Sequence, residues 1–260
     1  MKIATWNING IKARINNLER WLKVAEPDIA CLQEIKSVEE NFPAELFEAM
    51  GYNVAVFGQK SFNGVAILSK KPFDEVIKGL PGDDTDEQAR YLEAVISVDG
   101  GVIRVASIYL PNGNPVESEK YPYKLAWMER LRAHAKSRLS LEEPLILAGD
   151  YNVIPTEQDV YDASKWVDDA LFLPQSRAAY QAILNLGLTS AFEASINHPY
   201  CYTFWDYQRG SWNKDHGIRI DHILLSPQAA DKLETCQIDR PTRGWEKPSD
   251  HVPIWIDLAV

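Results

Sequence analysis

The sequence predicts a layered α/β protein in which two β-sheets pack face to face and helices cover their outer sides. Short apolar runs that stop at glycine or polar residues, such as residues 145–152 (LILAGDYN), are typical of buried strands. Between them lie stretches whose apolar residues recur every three or four positions, as in amphipathic helices. Each half also holds one similar strand, residues 65–69 (VAILS) and 222–226 (HILLS). If this echo is a true duplication, it suggests two sheets packed face to face with helices outside, although buried strands can equally resemble one another without any duplication.

The length and composition fit one globular domain over residues 1–260. The chain is 45% hydrophobic and 25% charged, which are ordinary values and exclude disordered, fibrous and membrane classes. No apolar run approaches the length needed to cross a bilayer. Residues 2–6 already read as a strand, with no secretory signal before them, so we expect a cytoplasmic protein without membrane contact.

Cysteine content and charge narrow the possible chemistry. Cys31, Cys201 and Cys236 are odd in number and widely spaced, which argues against a disulfide framework and favours small buried hydrophobes. The net charge of −10 opposes indiscriminate binding to nucleic acid. A nuclease remains compatible with this charge if basic side chains cluster on one face and acidic ones hold a metal.

The first half of the chain alternates strands with two helices. The predicted elements are a strand at 3–8, a helix with the stripe Ile15, Leu18, Leu22 and Ala25 that stops at 26–28, a strand at 29–32, a helix at 42–50 capped by Gly51, and strands at 54–57, 64–69, 92–98 and 102–110.

The second half repeats the alternation with longer loops. The predicted elements are a helix at 121–139 with Pro122 in its first turn and Leu125, Met128 and Leu131 facing inward, a strand at 145–148, an irregular stretch at 159–175, a helix at 176–186 closed by Gly187, and strands at 203–205, 218–226 and 252–258, with a polar loop at 208–216.

Polar residues follow the ends of several predicted strands, where layered α/β folds build their sites. Because side chains alternate along a strand, Asp150 and Asn152 are expected to face one cleft. The full set is Asn7, Asn9, Glu34, Tyr109, Asn112, Asp150, Asn152, Asp250 and His251, with Asp221 inside the 219–226 strand. Carboxylates and carboxamides without cysteine suit Mg²⁺ or Mn²⁺ rather than zinc.

This set meets the needs of phosphodiester hydrolysis, in which the phosphate charge must be neutralised and a water must be activated. Asp150 is the predicted base and Asn152 a donor to the phosphate. His251 can contact a phosphate oxygen, and either Asp221 or Asp250 could orient its ring.

Seven motifs, in order along the chain, resemble those of the exonuclease III family of apurinic/apyrimidinic endonucleases, within the endonuclease/exonuclease/phosphatase superfamily. They are Trp6-Asn7-Ile8-Asn9-Gly10, Leu32-Gln33-Glu34, Asn63-Gly64-Val65-Ala66-Ile67, Tyr109-Leu110-Pro111-Asn112, Gly149-Asp150-Tyr151-Asn152, Arg219-Ile220-Asp221-His222 and Ser249-Asp250-His251. They run from the first predicted strand to the last.

The resemblance implies a four-layered αββα sandwich of two mixed sheets, as in DNase I-like folds. It also implies Mg²⁺-dependent cleavage of double-stranded DNA on the 5′ side of abasic sites, leaving a 3′-hydroxyl. Activity at 3′ ends, as a 3′-phosphodiesterase, 3′-phosphatase or 3′→5′ exonuclease, is part of the same expectation. We expect a monomer.

Residue roles follow from the matching motifs. Glu34 is the expected principal metal ligand, in a metal site made of Asn7, Glu34, Asp150, Asn152, Asp250 and His251. Asp150 would act as base, Asn152 and His251 would stabilise the phosphate, Asp221 would orient His251, and Tyr109 would assist at the phosphate or leaving group. The number of metal ions and the division of roles among Asp150, Tyr109 and His251 stay open.

Substrate contacts are expected from Asn9, Asn112, Phe204, Trp212, Ile218 and Ile220. In two places the chain departs from many relatives: residues 113–115 (Gly-Asn-Pro) replace an arginine that fills the gap in the duplex, and Ile218 replaces a tryptophan in the pocket wall. Trp212 could supply the missing wedge by stacking on bases, or it could simply pack its loop onto the body. Phosphate contacts are expected from Lys12, Lys36, Lys60, Arg209, Lys214 and Arg243.

Two other functions compete with DNA repair. A phosphatase of the same superfamily acting on phosphoinositides, or a sphingomyelinase, would use the same hydrolytic set, but the motif at 109–112 argues against both. A repair-complex binding module that has lost catalysis would not need the full set of Glu34, Asp150, Asn152 and His251.

Overall fold

The computed structural model describes residues 1–195 and 202–260. It contains two six-stranded mixed sheets that pack face to face, with helices on their outer sides. The predicted αββα sandwich is therefore confirmed. Among the helices in the described ranges, none is both long and apolar enough to cross a membrane.

The strands are β1 (Lys2–Asn7), β2 (Ile29–Gln33), β3 (Asn53–Phe57), β4 (Val65–Ser69), β5 (Glu75–Lys78), β6 (Tyr91–Val98), β7 (Gly101–Tyr109), β8 (Leu145–Asp150), β9 (Thr189–Ser190), β10 (Asp221–Leu225), β11 (Leu233–Ile238) and β12 (Ile254–Leu258). The α-helices are α1 (Ile11–Ala25), α2 (Ala44–Ala49), α3 (Lys120–Leu139), α4 (Pro174–Leu184), α5 (Ala191–Ala194) and α6 (Pro227–Ala230).

The two sheets share one internal arrangement. The first sheet has the order β11-β12-β1-β2-β4-β3 and the second has the order β5-β6-β7-β8-β10-β9. In each, a central parallel pair is joined by a helix: β1 and β2 by α1, and β7 and β8 by α3. An antiparallel strand then lies beside the second member of each pair, β4 beside β2 and β10 beside β8. The similar sequences at residues 65–69 and 222–226 lie in these two strands, so the similarity reflects equivalent positions in the two sheets.

Strand alternation decides which side chains face the layer between the sheets. Ile146 and Ala148 of β8 pack in the core between the sheets, whereas Leu145 and Leu147 pack in the core beneath α3 and α4. The next residue on the inward side is Asp150. By the same rule Asn7 follows Ile3 and Thr5, and Tyr109 follows Val105 and Ser107. The polar side chains thus meet at one open end of the layer between the sheets.

Gly149 permits this close packing. A Cβ atom there would collide with the backbone of Ile108 on the neighbouring strand β7. Tyr151, on the other side of Asp150, turns into the core, where it is fully buried and its hydroxyl donates to the Leu147 carbonyl at 3.0 Å.

Several predicted elements differ from the structure. Residues 203–205 form no strand but only isolated bridges through Phe204, and β10 begins at Asp221 rather than at residue 218. The helix predicted at 42–50 is confined to 44–49. Strands β5, β9 and β11 were not predicted, because β5 is largely exposed, β9 has two residues and β11 is interrupted by a bulge between Leu233 and Thr235.

The inward faces of the two long helices also differ slightly from prediction. In α1, Ile15 is only partly buried and Trp21 takes its place in the core, and in α3 the buried residue is Lys124 rather than its neighbour Leu125. Cys31 and Cys236 are buried free thiols, as expected. Cys201 lies outside the described residues.

Candidate active site

A cavity of about 310 Å³ opens at the end of the layer between the sheets. Most of the residues predicted from the strand ends line it. They are Glu34, Tyr109, Asn112, Asp150, Asn152, Asp250 and His251, with Phe204, Ile218 and Ile220 on the wall. The structure therefore brings together side chains that lie far apart in the sequence.

Glu34 and Asp150 stand on either side of the Asn7 amide. Asn7 Nδ2 donates to Glu34 Oε1 and to Asp150 Oδ2, both at 2.9 Å. Asn7 Oδ1 accepts from the backbone N–H of Asn9 at 3.0 Å. Asn7 thus holds two carboxylates in place, and its oxygen, which accepts one hydrogen bond, keeps a second lone pair.

In the described part of the chain, Glu34, Asp150 and His251 form a group whose possible ligand atoms all lie within 4.8 Å of one another. Burial would raise the pKa of Glu34, but the nearby Lys36 and the hydrogen bond from Asn7 outweigh it and lower the pKa. Lys36 Nζ lies 2.9 Å from Glu34 Oε2. Glu34 is therefore ionised and available to a cation.

Asp221, not Asp250, orients His251. The His251 Nδ1 lies 2.8 Å from Asp221 Oδ2, and its Nε2 lies 3.8 Å from Asp150 Oδ2. Burial alone would lower the pKa of His251, but the carboxylates of Asp221 and Asp150 outweigh it and raise the pKa to about 10. A raised pKa favours the imidazolium, which would donate from both nitrogens.

Asp150 lies in a buried environment that disfavours its ionised form. It is 1% exposed, and burial, together with the charge of Asp221, raises its pKa to about 7 against the opposing charge of His251. The N–H groups of Asn7 and Asn152 donate to its two oxygens at 2.9 Å each. A general base works best with a pKa near the working pH, so this carboxyl suits the abstraction of a proton from water.

Tyr109 contributes a hydroxyl that stays protonated. Burial and the charges of Glu34 and Asp150 raise its pKa well above the ordinary value. The guanidinium of Arg90 lies over the Tyr109 ring, 4.8 Å from its centroid. The raised pKa therefore favours the neutral phenol, whose hydroxyl can donate a hydrogen bond.

Asn152 and Asn112 are linked, and the link depends on a lysine that the sequence did not reveal. Asn112 Nδ2 donates to Asn152 Oδ1 at 3.0 Å, and Asn152 Nδ2 donates to the Leu110 carbonyl at 2.9 Å. Behind them the fully buried Lys124 Nζ donates to the carbonyl oxygens of Asn112, Asn152 and Ala170 at 3.0, 2.6 and 3.1 Å. No sequence signal separates Lys124 from an ordinary helical lysine.

Asp250 and Asn9 form a second polar pair at the rim. Asn9 Nδ2 donates to Asp250 Oδ1 at 3.0 Å, and Asn9 Oδ1 accepts from Lys36 Nζ at 2.5 Å. Asp250 lines the cavity but does not belong to the closest group of possible ligands.

The aromatic residue of the cavity wall, Phe204, lies apart from Trp212, the residue expected to act as a wedge between bases. The Phe204 ring contacts His251 edge to face at 4.9 Å between centroids, and Ile218 and Ile220 complete the apolar wall. Trp212 instead packs edge to face on buried Trp205 at 5.0 Å, with the Arg240 guanidinium 5.1 Å from its ring centroid. This geometry favours the packing alternative for Trp212.

The predicted phosphate contacts separate into three kinds. Lys12, Lys60, Arg209 and Lys214 are exposed and remain available to DNA. Lys36 is tied to Glu34 and Asn9 beside the site. Arg243 does not fit the prediction, because it is buried and its Nη2 donates to the Trp205 carbonyl at 2.9 Å.

Comparisons with known proteins show the family of the chain. The profile of the Endonuclease/Exonuclease/phosphatase family matches residues 4–251. An exodeoxyribonuclease III of Haemophilus influenzae is 34% identical over 99% of this chain and 100% of its own length.

Solved structures are similar along the whole chain. The structure of an AP endonuclease from Archaeoglobus fulgidus is 37% identical, with a TM-score of 0.94 over 100% of both chains. A 3′ phosphatase from Neisseria, bound to a product DNA hairpin, is 35% identical, also with a TM-score of 0.94 over 100% of both chains. These relatives confirm the resemblance that the motifs indicated.

Proposed function

Because the chain belongs to the endonuclease/exonuclease/phosphatase family, we propose that it is a metal-dependent DNA-repair nuclease that cuts the backbone on the 5′ side of abasic sites and also acts at 3′ ends. One observation carries the proposal. Glu34, Asp150 and His251 converge within 4.8 Å in a cavity that is apolar on one side, at Phe204, Ile218 and Ile220, and polar elsewhere. Such a site can bind a phosphate, a cation and a sugar that lacks its base.

The donor set suits a hard cation. Glu34 and Asp150 offer carboxylate oxygens that Asn7 holds 2.9 Å from its own nitrogen, which is the chemistry that Mg²⁺ or Mn²⁺ prefers. Glu34 would be the principal ligand, with Asp150 beside it. A bound Mg²⁺ supplies positive charge that offsets the charge of the phosphate.

The protein's own groups account for the proton transfers. Asp150 removes a proton from water as the water oxygen attacks phosphorus, and the bond between phosphorus and the 3′ oxygen of the preceding nucleotide breaks. Tyr109, which lines the cavity, would assist at that leaving oxygen by giving it a proton and would regain one from solvent. His251 Nε2–H and the Asn152 amide donate to the phosphate oxygens, and Asp221 fixes the His251 ring. The products are a 3′-hydroxyl and a 5′-phosphate.

The proposed partner is double-stranded DNA with an abasic site or a 3′ end. A similar Neisseria structure is bound to a DNA hairpin, and exposed Lys12, Lys60, Arg209 and Lys214 can contact phosphates despite the net charge of −10. The buried free thiols Cys31 and Cys236 fit a reducing compartment, so we place this activity in the cytoplasm. We propose separately that the protein acts as a monomer.

The proposal is tested with a labelled duplex that carries one abasic analogue. We expect Mg²⁺-dependent incision on the 5′ side of the analogue, leaving an upstream end that a DNA polymerase extends because it bears a 3′-hydroxyl. A Glu34→Gln variant should need a higher Mg²⁺ concentration. Incision that persists in excess chelator, or an upstream end that cannot be extended, would contradict the proposal.

The same assay separates the competing hydrolases. A phosphatase or sphingomyelinase of the same family would leave the duplex intact and release phosphate or phosphocholine from inositol phosphates or sphingomyelin. Turnover of those substrates without DNA incision would favour that alternative.

A further inference from the structure

Gln33, at the end of β2, is the residue of the motif at 32–34 to which the catalytic site gives no role. It is fully buried, it directly precedes Glu34, and it does not line the catalytic cavity. Because Ile29 and Cys31 of the same strand pack in the core between the sheets, strand alternation places the Gln33 side chain in that layer as well. The layer therefore contains a polar side chain next to the catalytic groups.

The Gln33 amide joins the two sheets. Its Nε2 donates to Thr5 Oγ1 on β1 and to Ser107 Oγ on β7, at 2.9 Å each. The Thr5 hydroxyl lies 3.1 Å from Gln33 Oε1, and the Ser107 hydroxyl donates to the Leu32 carbonyl at 3.0 Å. Since β1 and β2 belong to one sheet and β7 to the other, Thr5, Gln33 and Ser107 form an inter-sheet triad.

The inter-sheet triad has apolar surroundings. All three members are 0% exposed, and the core between the sheets also contains Ile3, Cys31, Val65, Val105 and Ala148. Hydrogen bonds among buried groups add little net stability, since apolar groups of the same shape can replace all the partners with almost no loss. Such groups instead select one arrangement of the core, because hydrogen bonds are directional and apolar contacts are not.

The catalytic cavity depends on the arrangement of the two sheets, because its residues come from both. Asn7 and Glu34 lie at the ends of β1 and β2, whereas Tyr109 and Asp150 lie at the ends of β7 and β8. The hydrogen bond from Asn7 Nδ2 to Asp150 Oδ2, 2.9 Å long, joins the two sheets. A misplacement of about 1 Å between such groups can lower a rate roughly 100-fold.

The inter-sheet triad lies next to these groups along the same strands. Thr5 is two positions before Asn7, and Ser107 is two positions before Tyr109, so each pair points to the same side of its strand. The Gln33 amide thus links the two sheets one inward position away from the catalytic groups. A change in the separation of the sheets at the triad would move the catalytic groups of one sheet relative to those of the other.

We propose that Gln33 is a positioning residue that fixes the separation and the register of the two sheets at the catalytic cavity, and so the distance between Glu34 and Asp150. This inference rests on the proposed nuclease function. Gln33 acts through the strands that carry the catalytic groups, and it is too deeply buried to contact DNA.

The test separates stability from catalysis with two matched variants. Gln33→Met keeps the length of the side chain but leaves the hydroxyls of Thr5 and Ser107 without their partner, so the rate and the urea midpoint should both fall. The triple variant Thr5→Val/Gln33→Met/Ser107→Ala removes all the polar groups of the triad, so its urea midpoint should return toward the wild-type value.

We expect the triple variant to incise an abasic duplex with a kcat about 10- to 100-fold below wild type, the usual loss for groups that position catalytic ligands, and with little change in KM for DNA. A purely structural role predicts instead that kcat recovers together with the midpoint, and this recovery would overturn the proposal. Val105→Ala, buried in the same layer two positions before Ser107, is the control and should lower the midpoint while the folded protein keeps its kcat.

The single variant Ser107→Ala covers the case in which the triple variant folds poorly. It removes the hydrogen bond from Gln33 to β7 and leaves the contact with Thr5 in place. We expect kcat to fall in the same direction, and a wild-type kcat in folded Ser107→Ala would equally contradict the proposal.

A Mg²⁺ titration without DNA distinguishes this inference from the proposed nuclease function. Mg²⁺ that binds the folded protein raises its urea midpoint, so the midpoint reports the affinity of the site. We expect the triple variant to need a Mg²⁺ concentration about 10- to 100-fold higher than wild type for the same rise. An equal requirement in both proteins would overturn the role of Gln33. A shifted requirement in a protein whose wild type incises no DNA would overturn the nuclease proposal alone.

Discussion

Two buried carboxylates in the second sheet, Glu93 on β6 and Asp150 on β8, have opposite surroundings. Glu93 is fully buried, and Arg104 Nη1, His134 Nε2 and the Tyr91 hydroxyl lie 2.7, 2.7 and 2.5 Å from its oxygens. Arg138 Nε adds a fourth contact at 3.1 Å. Burial would raise the pKa of Glu93, but these hydrogen bonds outweigh it and lower the pKa to about 2.

Asp150 is equally buried, but its two hydrogen-bond donors, Asn7 and Asn152, are uncharged amides, and His251 Nε2 lies 3.8 Å away. Glu34 shares the Asn7 amide with it, Asp221 lies across the His251 ring, and burial raises the Asp150 pKa to about 7. A buried oxygen of Asp221, Oδ1, has no hydrogen-bond partner. A carboxylate with enough hydrogen-bond donors stabilises the fold. Carboxylates that outnumber their donors instead favour the binding of a cation, and such groups are typical of catalytic sites.

Replacing the catalytic carboxylate should give the largest effect on rate. Asp150→Asn keeps the shape but removes the base, so we expect single-turnover incision of an abasic duplex to fall by about 10² to 10⁴. Thermal stability should be retained, because the substituted side chain has the same shape and its amide oxygen can still accept from the backbone N–H of Asn152. Asp99→Asn, in the exposed turn after β6, is the matched control. A rate within a few-fold of wild type would show that another group activates the water.

Glu93→Gln should act on stability instead. Removing one member of a buried ion cluster leaves Arg104, Arg138 and His134 without their shared partner, which typically costs about 3–5 kcal/mol. Urea unfolding measures the loss, and Glu129→Gln is the control because its pair with Arg132 is on the surface. A change within about 0.5 kcal/mol would mean that the cluster contributes little.

Lys124→Met tests a buried residue that we expect to act on catalysis indirectly, by positioning other residues. Its ammonium joins the carbonyls of Asn112, Asn152 and Ala170, so its loss should let the two active-site asparagines shift. We expect kcat to fall about 10–100-fold, as for other positioning partners, with little change in KM for DNA. Lys120→Met, exposed on the same helix, should behave as wild type. A variant that lost stability but kept full kcat would assign Lys124 to folding alone.

Lowering the pH should remove the contribution of Glu93 to the free energy of unfolding. The pKa of Glu93 is depressed in the folded protein, so its contribution is complete above the unfolded pKa of about 4.3 and is lost as pH falls toward about 2. The difference in unfolding free energy between wild type and Glu93→Gln should therefore shrink between pH 5 and pH 2 (about the range set by those two pKa values). A difference that stays constant over this range would contradict the assigned pKa.

Trp212→Ala should have the smallest effect on DNA. Because Trp212 packs on Trp205 beneath Arg240, we expect affinity for an abasic duplex to stay within about 2-fold, a change of less than 0.5 kcal/mol, while stability falls. A large loss of affinity in a protein of wild-type stability would restore the wedge that the sequence suggested.

Local pattern was enough to predict most of the fold and the members of the site. Apolar runs and helical stripes gave the central strands and the long helices, since those elements are buried and strongly periodic. Edge strands β5 and β11 escaped because their residues are half exposed and carry little periodicity. The bridges at Phe204 depend on partners distant in sequence, so no local window could exclude a strand there.

Within the site, residue type was predictable but pairing was not. Residue types alone left Asp221 and Asp250 as candidates for orienting His251, the resemblance favoured Asp221, and the fold places Asp221 opposite Asp150 on β10. Arg243 looked like any exposed arginine and proved to be buried against Trp205. Lys124 and Glu93 carry no motif at all, because their roles come from contacts made across three or more segments.

One side-by-side measurement tests most directly the contrast between a carboxylate that serves catalysis, Asp150, and one that stabilises the fold, Glu93. Asp150→Asn and Glu93→Gln are assayed for single-turnover incision of an abasic duplex in Mg²⁺, with each rate normalised to the folded fraction from urea unfolding. We predict that Asp150→Asn loses about 10² to 10⁴ in rate with its stability retained, and that Glu93→Gln loses about 3–5 kcal/mol of stability with its rate retained. Undiminished incision by Asp150→Asn, or a matching loss of rate in folded Glu93→Gln, would contradict the assignment of one carboxylate to catalysis and the other to the fold.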